Sequence, residues 1–247
     1  MYKKYHKTYN IIYEIVYFIY IYYNINMERT LYHGSENIIE APIFGYGNPN
    51  NDYGLGFYCC NNKKIAREWA SRKYGYGFVN EYKLRDDNLR ILDLTKGEND
   101  NVLIWIALLI NNRTIANDLY NSFPRELDYL KNNYLIDISK YDAIIGYRAD
   151  DAYFKFPESF VRSEITINSL KTIYKAGDLG KQYVLISQRA FKLLKYVRSY
   201  ETNIEDKDKY YERKNNADKQ YEKYIIDDQY KVGTRLRDLV MDDNEKQ

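Results

Sequence analysis

The stretch Leu31-Tyr32-His33-Gly34-Ser35 decides how this chain is interpreted, together with two stretches that follow it. These are Gly54-Leu55-Gly56-Phe57-Tyr58 and Lys181-Gln182-Tyr183-Val184-Leu185-Ile186. Each stretch contains residues typical of a β-strand and places a polar or aromatic side chain where the strand or its end would face a cleft. His33 is the only histidine outside the first dozen residues, which leaves few groups for acid–base chemistry.

The composition indicates a globular chain. Its 247 residues are 45% hydrophobic and 29% charged, enough for one sizeable core or one domain with appendages. The net charge of +2 gives no electrostatic case for binding nucleic acid or membranes over a wide surface, although a local basic groove stays open. The 30 tyrosines accompany abundant Asn, Ile and Lys, so a nucleotide-biased genome is favoured over a functional tyrosine surface.

The cysteines and histidines restrict the chemistry. Cys59 and Cys60 are adjacent, and neighbouring residues on a strand point to opposite faces, which disfavours a disulfide between them. The lack of a disulfide framework predicts a reducing compartment, and we expect a cytoplasmic protein. Two histidines and one cysteine pair cannot supply a zinc site of the usual spacing, so no metal is expected.

Three regions are predicted along the chain. Residues 1–26 form an aromatic N-terminal extension, whose apolar run is too short for a transmembrane helix and lacks a cleavage site. We favour the interpretation that this extension is upstream sequence translated in frame and that the native start is Met27. The alternative is a membrane anchor, which is less favoured, so no stable membrane association is expected. Residues 27–200 read as an α+β domain, and residues 201–247 as a charged, helical tail.

Periodicity and turn residues predict the elements of the domain. Strands are expected at Thr30–Tyr32, Phe78–Leu84, Leu89–Leu94, Tyr141–Tyr147 and Gln182–Ile186. Helices are expected at Lys63–Tyr74, capped by Asn61-Asn62, at Val102–Asn112, at Thr114–Asn132 with a break near Pro124, and at Gln188–Tyr196. A further helix is expected at Pro157–Tyr174, although the alternation at Ile165–Ile167 leaves its middle ambiguous.

The chemistry of the three stretches suits a nucleoside ligand. His33 can hydrogen-bond a ribose hydroxyl, and Gly34 lets a ligand amide approach the backbone. Tyr58 can stack on a flat heteroaromatic ring, whose other face Trp69 could cover. An amide at Gln182 can accept a hydrogen bond from a sugar hydroxyl. In isolation, however, a His-Gly pair is more often a turn, and two such aromatics are more often core residues.

Taken in this order, the stretches resemble the ADP-ribosyltransferases of the diphtheria-toxin and poly-ADP-ribose-polymerase type, over about residues 29–198. That family carries a His, Tyr and Glu triad on a split β-sheet and binds NAD. Residues 54–58 are similar to its Gly-Lys-Gly-Ile-Tyr signature, and residues 181–186 to its Asn-Glu-Tyr-Ile-Val-Tyr signature. The resemblance implies an α+β, ADP-ribosyltransferase-like split sheet with flanking helices, and the catalytic set His33, Tyr58 and Gln182.

An uncharacterised bacterial branch of that superfamily is more similar still. Its Tyr-Asp-x-Ile-Ile-Gly-x-x-Ala-Asp-Asp pattern occurs here as residues 141–151, and its members are often encoded beside a small antitoxin-like partner. The resemblance implies NAD as substrate and no metal. It also implies that NAD is contacted by seven further residues, which are Gly34, Ser35, Gly56, Trp69, Arg113, Asp150 and Asp151.

One departure from the family concerns the triad glutamate, which is Gln182 here. A carboxylate stabilises the positive charge that develops on the ribose, and an amide supplies less stabilisation. Single-unit transfer is therefore expected rather than chain formation, with Asp150 or Asp151 as a candidate source of the missing carboxylate. The expected function is a mono-ADP-ribosyltransferase that modifies a protein or nucleic-acid acceptor. Its setting would be a bacterial toxin–antitoxin or phage-defence system.

Two alternatives to transfer stay open. The same pocket with water as acceptor would make the protein an NAD glycohydrolase. The second alternative is a catalytically silent module that binds NAD or ADP-ribose. Gln182 is the best argument for it, because it replaces the glutamate of the triad.

Overall fold

A mixed α+β fold is built on a seven-stranded sheet with the strand order β4-β5-β6-β2-β1-β3-β7. The computed structural model describes residues 28–96, 99–113, 117–149, 154–176, 181–228 and 231–245, so the N-terminal extension predicted at residues 1–26 lies outside them. The strands are β1 (Glu28–Ser35), β2 (Phe57–Cys60), β3 (Phe78–Arg85), β4 (Ile91–Asp93), β5 (Ala143–Gly146), β6 (Gln182–Leu185) and β7 (Leu194–Glu201).

The helices flank this sheet and follow it along the chain. They are α1 (Lys63–Ser71), α2 (Asn99–Asn112), α3 (Asn117–Ser122), α4 (Pro124–Tyr134), α5 (Lys155–Val161), α6 (Ile167–Ala176), α7 (Gln188–Lys192), α8 (Ile204–Asp228) and α9 (Leu236–Asn244).

The pairing of the strands is uneven, and this unevenness positions the site. β1 and β3 are antiparallel in continuous register from Glu28–Arg85 to Ser35–Phe78, and β2 is antiparallel to β6 over its whole length. β4 and β5 are parallel. In the described part of the chain, β1 and β2 are joined by one register pair, Tyr32 opposite Cys60. The two strands therefore diverge in the middle of the sheet.

The two faces of the sheet carry separate apolar clusters, as strand alternation requires. Leu31, Cys59 and Tyr183 belong to one cluster. Cys60 and Val184 belong to the other, which also contains the buried side chains of α2. The prediction that the two cysteines point to opposite faces is confirmed, and both are free thiols.

Helix α1 packs directly on β1. Asn62 caps it by accepting hydrogen bonds from the backbone N–H groups of Lys64 (3.0 Å) and Ile65 (3.4 Å), as predicted. A Cβ atom on Gly34 would lie 2.2 Å from the carbonyl oxygen of Ala66. Gly34 is therefore required for the close approach of α1, the helix that carries Trp69, to β1.

The helix predicted from Pro157 to Tyr174 is interrupted in its middle, where the sequence is ambiguous, because the chain forms α5 and α6 with a turn between them. Ser163 takes a left-handed conformation with φ of 59°. The N–H of Ser163 donates to the carbonyl of Phe160, and the N–H of Glu164 donates to that of Ser159. This is the pattern of a Schellman motif, which ends α5 in the absence of a glycine.

The helix predicted at Gln188–Tyr196 is also wrong in its second half. α7 ends at Lys192, and β7 begins two residues later. β7 is antiparallel to β3, with Leu194 opposite Leu84 and Tyr196 opposite Tyr82. Over so few residues, the amphipathic pattern fits the period of a helix and the period of a strand equally well. The segment forms a strand because it pairs with β3.

The charged tail contains α8 and α9 and is tied to α1 by two ion pairs. Arg67 binds Asp206 at 2.7 Å, and Arg213 binds Glu68 at 2.7 Å. Within the described ranges, no helix combines the length and apolar character needed to cross a membrane.

Candidate functional site

A cleft of about 580 Å³ opens where β1 and β2 diverge. Its volume lies within the range of about 300–1,000 Å³ that is typical of small-molecule sites. His33 of β1, Tyr58 of β2 and Gln182 of β6 all line it. Three side chains separated by up to about 150 positions in the sequence are therefore brought together in one place.

His33 is held in one orientation by its neighbours. Its Nδ1 lies 2.6 Å from the carbonyl oxygen of Tyr58, and its ring stacks on Phe57 with centroids 4.5 Å apart. Because a carbonyl oxygen only accepts hydrogen bonds, Nδ1 carries the proton and Nε2 carries the lone pair. Burial lowers the pKa of His33, and the nearby charge of Arg148 lowers it further. A neutral imidazole therefore offers Nε2 as an acceptor for a ligand hydroxyl.

Tyr58 uses its hydroxyl to hold the preceding turn. The hydroxyl donates to the carbonyl of Gly54 at 2.6 Å and accepts from the N–H of Tyr53 at 3.0 Å. Gly54 has φ of +74°, a conformation that favours glycine. Burial raises the pKa of Tyr58 far above its ordinary value. The hydroxyl is therefore structural and stays protonated, which leaves the ring for contact with a ligand.

Of the remaining predicted contacts, Gly34, Gly56 and Trp69 line the cleft. A Cβ atom on Gly56 would lie 2.6 Å from Cγ1 of Val184, so packing on β6 is one reason for this glycine. Ser35 does not line the cleft, because its hydroxyl donates to the carbonyl of Asn37 and accepts from Nδ2 of Asn80. Asp150 and Asp151 lie outside the described residues.

Arg113 lines the cleft, but its charge is engaged by the chain itself. Its Nη1 donates to Oδ1 of Asp52 at 3.0 Å and to the carbonyl of Ala149 at 2.5 Å. Asp52 also accepts the N–H of Ala149 at 3.1 Å. Burial raises the pKa of Asp52, and the charge of Arg113 opposes that rise. The pair fastens the loop before β2 to the segment after β5.

The sequence interpretation missed a cationic cluster around Trp69. The Cζ of Arg72 lies 3.6 Å from the centroid of the indole ring, and the Cζ of Arg148 lies 5.0 Å from it. Both arginines line the cleft. The available signal was the position of Arg148, a polar residue two positions after the end of the buried strand β5.

Two buried polar atoms in the cleft have no hydrogen-bond partner among the described residues. They are Nη1 of Arg148, a residue 9% exposed, and Oε1 of Gln182, which is 7% exposed. Buried polar atoms are hydrogen-bonded in the great majority of cases. Both atoms are therefore available to a bound ligand.

No group of three or more His, Cys, Asp or Glu side chains within the described ranges could hold a metal ion.

The comparisons with known proteins identify the family of the chain but assign it no activity. No curated protein and no solved structure matches the chain. A family model described as "Protein of unknown function (DUF3990)" matches residues 29–196, which is more than half of the 247 residues. The chain therefore belongs to the DUF3990 family.

Proposed function

We propose that this protein is a mono-ADP-ribosyltransferase that uses NAD as its substrate. The observation that carries the proposal is the meeting of His33, Tyr58 and Gln182 in one cleft. The order and type of these residues resemble the triad of the ADP-ribosyltransferases, and the divergence of β1 and β2 agrees with the split sheet of that family.

Each cleft residue has a role that its geometry supports. Nε2 of His33 accepts a hydrogen bond from a hydroxyl of the nicotinamide ribose, and the backbone of Gly34 binds the carboxamide. The ring of Tyr58 stacks on the nicotinamide, with Trp69 towards its other face. The unpartnered Oε1 of Gln182 accepts the 2′-hydroxyl of the same ribose.

In the proposed reaction, the bond between C1 of the ribose and the nicotinamide nitrogen breaks, and its electron pair leaves with nicotinamide. A nucleophile of the acceptor then attacks C1 and loses its proton to solvent. The positive charge on the ribose faces an amide at residue 182, which stabilises it less than a carboxylate would. The loss of one oxyanion-hole hydrogen bond costs about 2.7–4 kcal/mol of transition-state stabilisation, and we expect a difference of similar size here. Slow transfer of a single unit follows from this difference.

The proposed setting is a toxin that acts in the cytoplasm on a protein or nucleic-acid acceptor, under the control of an antitoxin protein. Expression of the full chain in a bacterial host is expected to slow growth, and His33→Ala is expected to remove that effect. Equal growth inhibition by the two proteins would contradict the proposed site.

Release of nicotinamide from NAD by the purified full chain tests the chemistry directly. His33→Ala and Tyr58→Ala are expected to abolish release, because they remove the ribose acceptor and the stacking ring. Tyr74→Ala is the matched control, since Tyr74 is 49% exposed and does not line the cleft. NAD labelled in the adenine distinguishes transfer to a macromolecule from hydrolysis to free ADP-ribose.

A binding module without catalysis is the second candidate function. Gln182 is neutral, and Asp52, the one carboxylate lining the cleft among the described residues, is engaged by Arg113 and Ala149. Binding of NAD without any release of nicotinamide would establish this function in place of the transferase.

A further inference from the structure

We infer that Asp206, at the start of the tail helix α8, is a positioning residue for the cleft. By binding Arg67 it holds α1 in place, and α1 carries Trp69, which lines the cleft. The inference rests on the proposed function only for the reaction that the cleft performs. Its own basis is a set of contacts that fasten the two ends of α8 to the two sides of the cleft.

The ion pair between Asp206 and Arg67 uses both carboxylate oxygens. Nε of Arg67 donates to Oδ1 at 3.0 Å, and Nη2 donates to Oδ2 at 2.7 Å. Such a bidentate contact fixes the orientation of the two groups as well as their distance. Asp206 is buried, so water competes little for its oxygens. Because Arg67 precedes Trp69 by two positions on α1, the pair acts on the turn of the helix that carries the indole ring.

Asp206 is itself held in place by the helix that it begins. Its N–H donates to Oδ1 of Asn203 at 3.3 Å, and its Oδ2 accepts the N–H of Asn203 at 3.1 Å. This reciprocal arrangement is a capping box. A carboxylate in the first turn of a helix is also favoured by the helix dipole. Asp206 therefore offers Arg67 a fixed anchor.

Two further contacts join the same end of α8 to α1 and to the turn that follows α1. Arg213 of α8 binds Glu68 of α1 at 2.7 Å. The N–H of Thr202, just before α8, donates to the carbonyl of Gly77 at 2.9 Å. α1 is therefore fastened to the tail on both sides of Trp69 in the sequence.

The far end of α8 is anchored on the other side of the cleft. Asp228, the last residue of α8, is fully buried and accepts the N–H of Thr166 at 2.6 Å. The hydroxyl of Tyr221 lies 2.7 Å from that of Ser159 in α5. α5 and α6 join β5 to β6, whereas α1 packs on β1. The 25 residues of α8 span about 37 Å at 1.5 Å per residue, and the helix thereby links the two sides.

The contact between Trp69 and Arg148 depends on this link. Trp69 belongs to α1, whereas Arg148 follows β5, and the Cζ of Arg148 lies 5.0 Å from the indole centroid. The two side chains thus reach the cleft from its two sides, and both line it. A shift of α1 away from β5 would separate them and expose more of the indole ring to solvent. The exposure of Trp69 therefore measures the action of Asp206.

Quenching of Trp69 fluorescence by acrylamide in the full chain tests the inference. The chain has two tryptophans, and Trp105 is fully buried, so Trp105→Phe gives a background in which Trp69 is the only one. Asp206→Asn removes the charge but keeps an oxygen that can accept from Asn203, and it is expected to raise the quenching constant. Arg67→Gln is expected to raise it similarly. Arg67→Lys keeps the charge without the fork and is expected to raise it less.

Two further measurements distinguish positioning from a contribution to stability alone. The double variant Arg67→Gln with Asp206→Asn should show the same increase in quenching as either single variant, because both changes break one contact. Nicotinamide release at low NAD should fall at least about threefold in Asp206→Asn, since a misplacement of about 1 Å can cost a hundredfold in rate. An ion pair that only stabilises the fold would lower the urea midpoint and leave both signals of the folded chain unchanged.

The matched control is Asp218→Asn on the same helix. Asp218 pairs at 2.8 Å with Lys155 of α5 rather than with a residue of α1. Both side chains of this pair are exposed, and exposed ion pairs contribute little. Quenching of Trp69 and release of nicotinamide are expected to be unchanged in this variant.

Unchanged quenching of Trp69 in Asp206→Asn, Arg67→Gln and Arg67→Lys would overturn the inference. Additive effects in the double variant, or an equal rise in Asp218→Asn, would also overturn it. The proposed function fails separately, because the fluorescence measurement needs neither NAD nor catalysis. If the wild-type chain releases no nicotinamide while Asp206→Asn still increases quenching, Asp206 positions Trp69 in a cleft that is not a transferase.

Discussion

Two buried amides of the same sheet, Asn80 and Gln182, have opposite hydrogen-bonding environments. Asn80 is fully buried, and both of its polar atoms are bonded. Its Oδ1 accepts from the N–H of Ile39 at 2.9 Å and from Ser199 at 2.7 Å, while its Nδ2 donates to Ser35 at 2.9 Å. Gln182 is 7% exposed, and its Oε1 has no partner in the described chain.

The same difference separates two buried charges. Asp228 is fully buried and accepts hydrogen bonds from the N–H of Thr166 at 2.6 Å and from Arg235 at 3.3 Å. Arg148 forms no ion pair among the described residues, and its Nη1 has no hydrogen-bond partner there, although its charge also acts on Asp52. Asn80 and Asp228 are satisfied by the chain, whereas Oε1 of Gln182 and Nη1 of Arg148 in the cleft have no hydrogen-bond partner among the described residues. Unsatisfied groups are therefore a physical sign of the binding site that needs no family resemblance.

The largest effect is expected for a satisfied charge outside the cleft. Asp228→Ala removes the acceptor of the N–H of Thr166 and the carboxylate that pairs with Arg235, and breaking a buried ion pair in this way costs about 3–5 kcal/mol. Urea denaturation should therefore give a free energy of unfolding lower by that amount. Asp228→Asn, which keeps an acceptor, is expected to lose less. A loss below about 1 kcal/mol for Asp228→Ala would remove the distinction between the two regions.

The next largest effect is expected at the satisfied amide. Asn80→Leu leaves the N–H of Ile39 and the hydroxyl of Ser199 without their acceptor inside the fold. Both residues are half-buried, and the hydroxyl of Ser199 keeps the hydroxyl of Tyr196 as a partner, so the free energy of unfolding should fall by roughly 1–3 kcal/mol. The same urea experiment measures it. Wild-type stability in this variant would show that the network around Asn80 is not structural.

Local signals were sufficient for several elements of the fold. The Asn62 cap predicted the start of α1, and the apolar run ending at Asn112 predicted α2. The meeting of His33, Tyr58 and Gln182 in one cleft was predicted from the family resemblance of three stretches, while their chemical roles stay predictions. These features depend on residues that are close in sequence or on a resemblance that spans the domain.

The failures have a common cause, which is contact between distant residues. β7 is a strand because β3 is beside it, with Tyr196 opposite Tyr82, and no window of sequence contains both. Asp52 selects Arg113, 61 positions away, over Arg148. Which of two arginines is neutralised therefore depends on the packing of the loop before β2. The orphaned donor of Arg148 could not be read from the sequence for that reason.

A smaller effect is expected from the titration of His33 within the cleft. Burial lowers the pKa of His33 in the folded chain, so below the ordinary value of about 6.5 the unfolded chain gains a proton that the folded chain does not. The stability of the wild type should then fall as the pH decreases from 7 towards 5. The slope for one proton is at most about 1.4 kcal/mol per pH unit.

His33→Gln removes this titration while the other groups still titrate. Urea denaturation of both proteins at several pH values should show that the stability advantage of the wild type shrinks on acidification. An advantage that grows as the pH falls would mean that the folded chain stabilises the charged imidazole, which would contradict a neutral His33 in the cleft.

The smallest effect on stability is expected at Gln182, where the comparison of the two amides is sharpest. Gln182→Met keeps the length of the side chain and removes an oxygen that has no partner in the described fold. Because no hydrogen bond to that oxygen is lost and a desolvation penalty is relieved, the free energy of unfolding should change by less than about 1 kcal/mol. Calorimetry with ADP-ribose should nevertheless show weaker binding, since the ribose loses its acceptor. A loss of stability as large as that of Asn80→Leu would mean that Gln182 stabilises the fold. The distinction between structural amides and amides of the cleft would then be wrong.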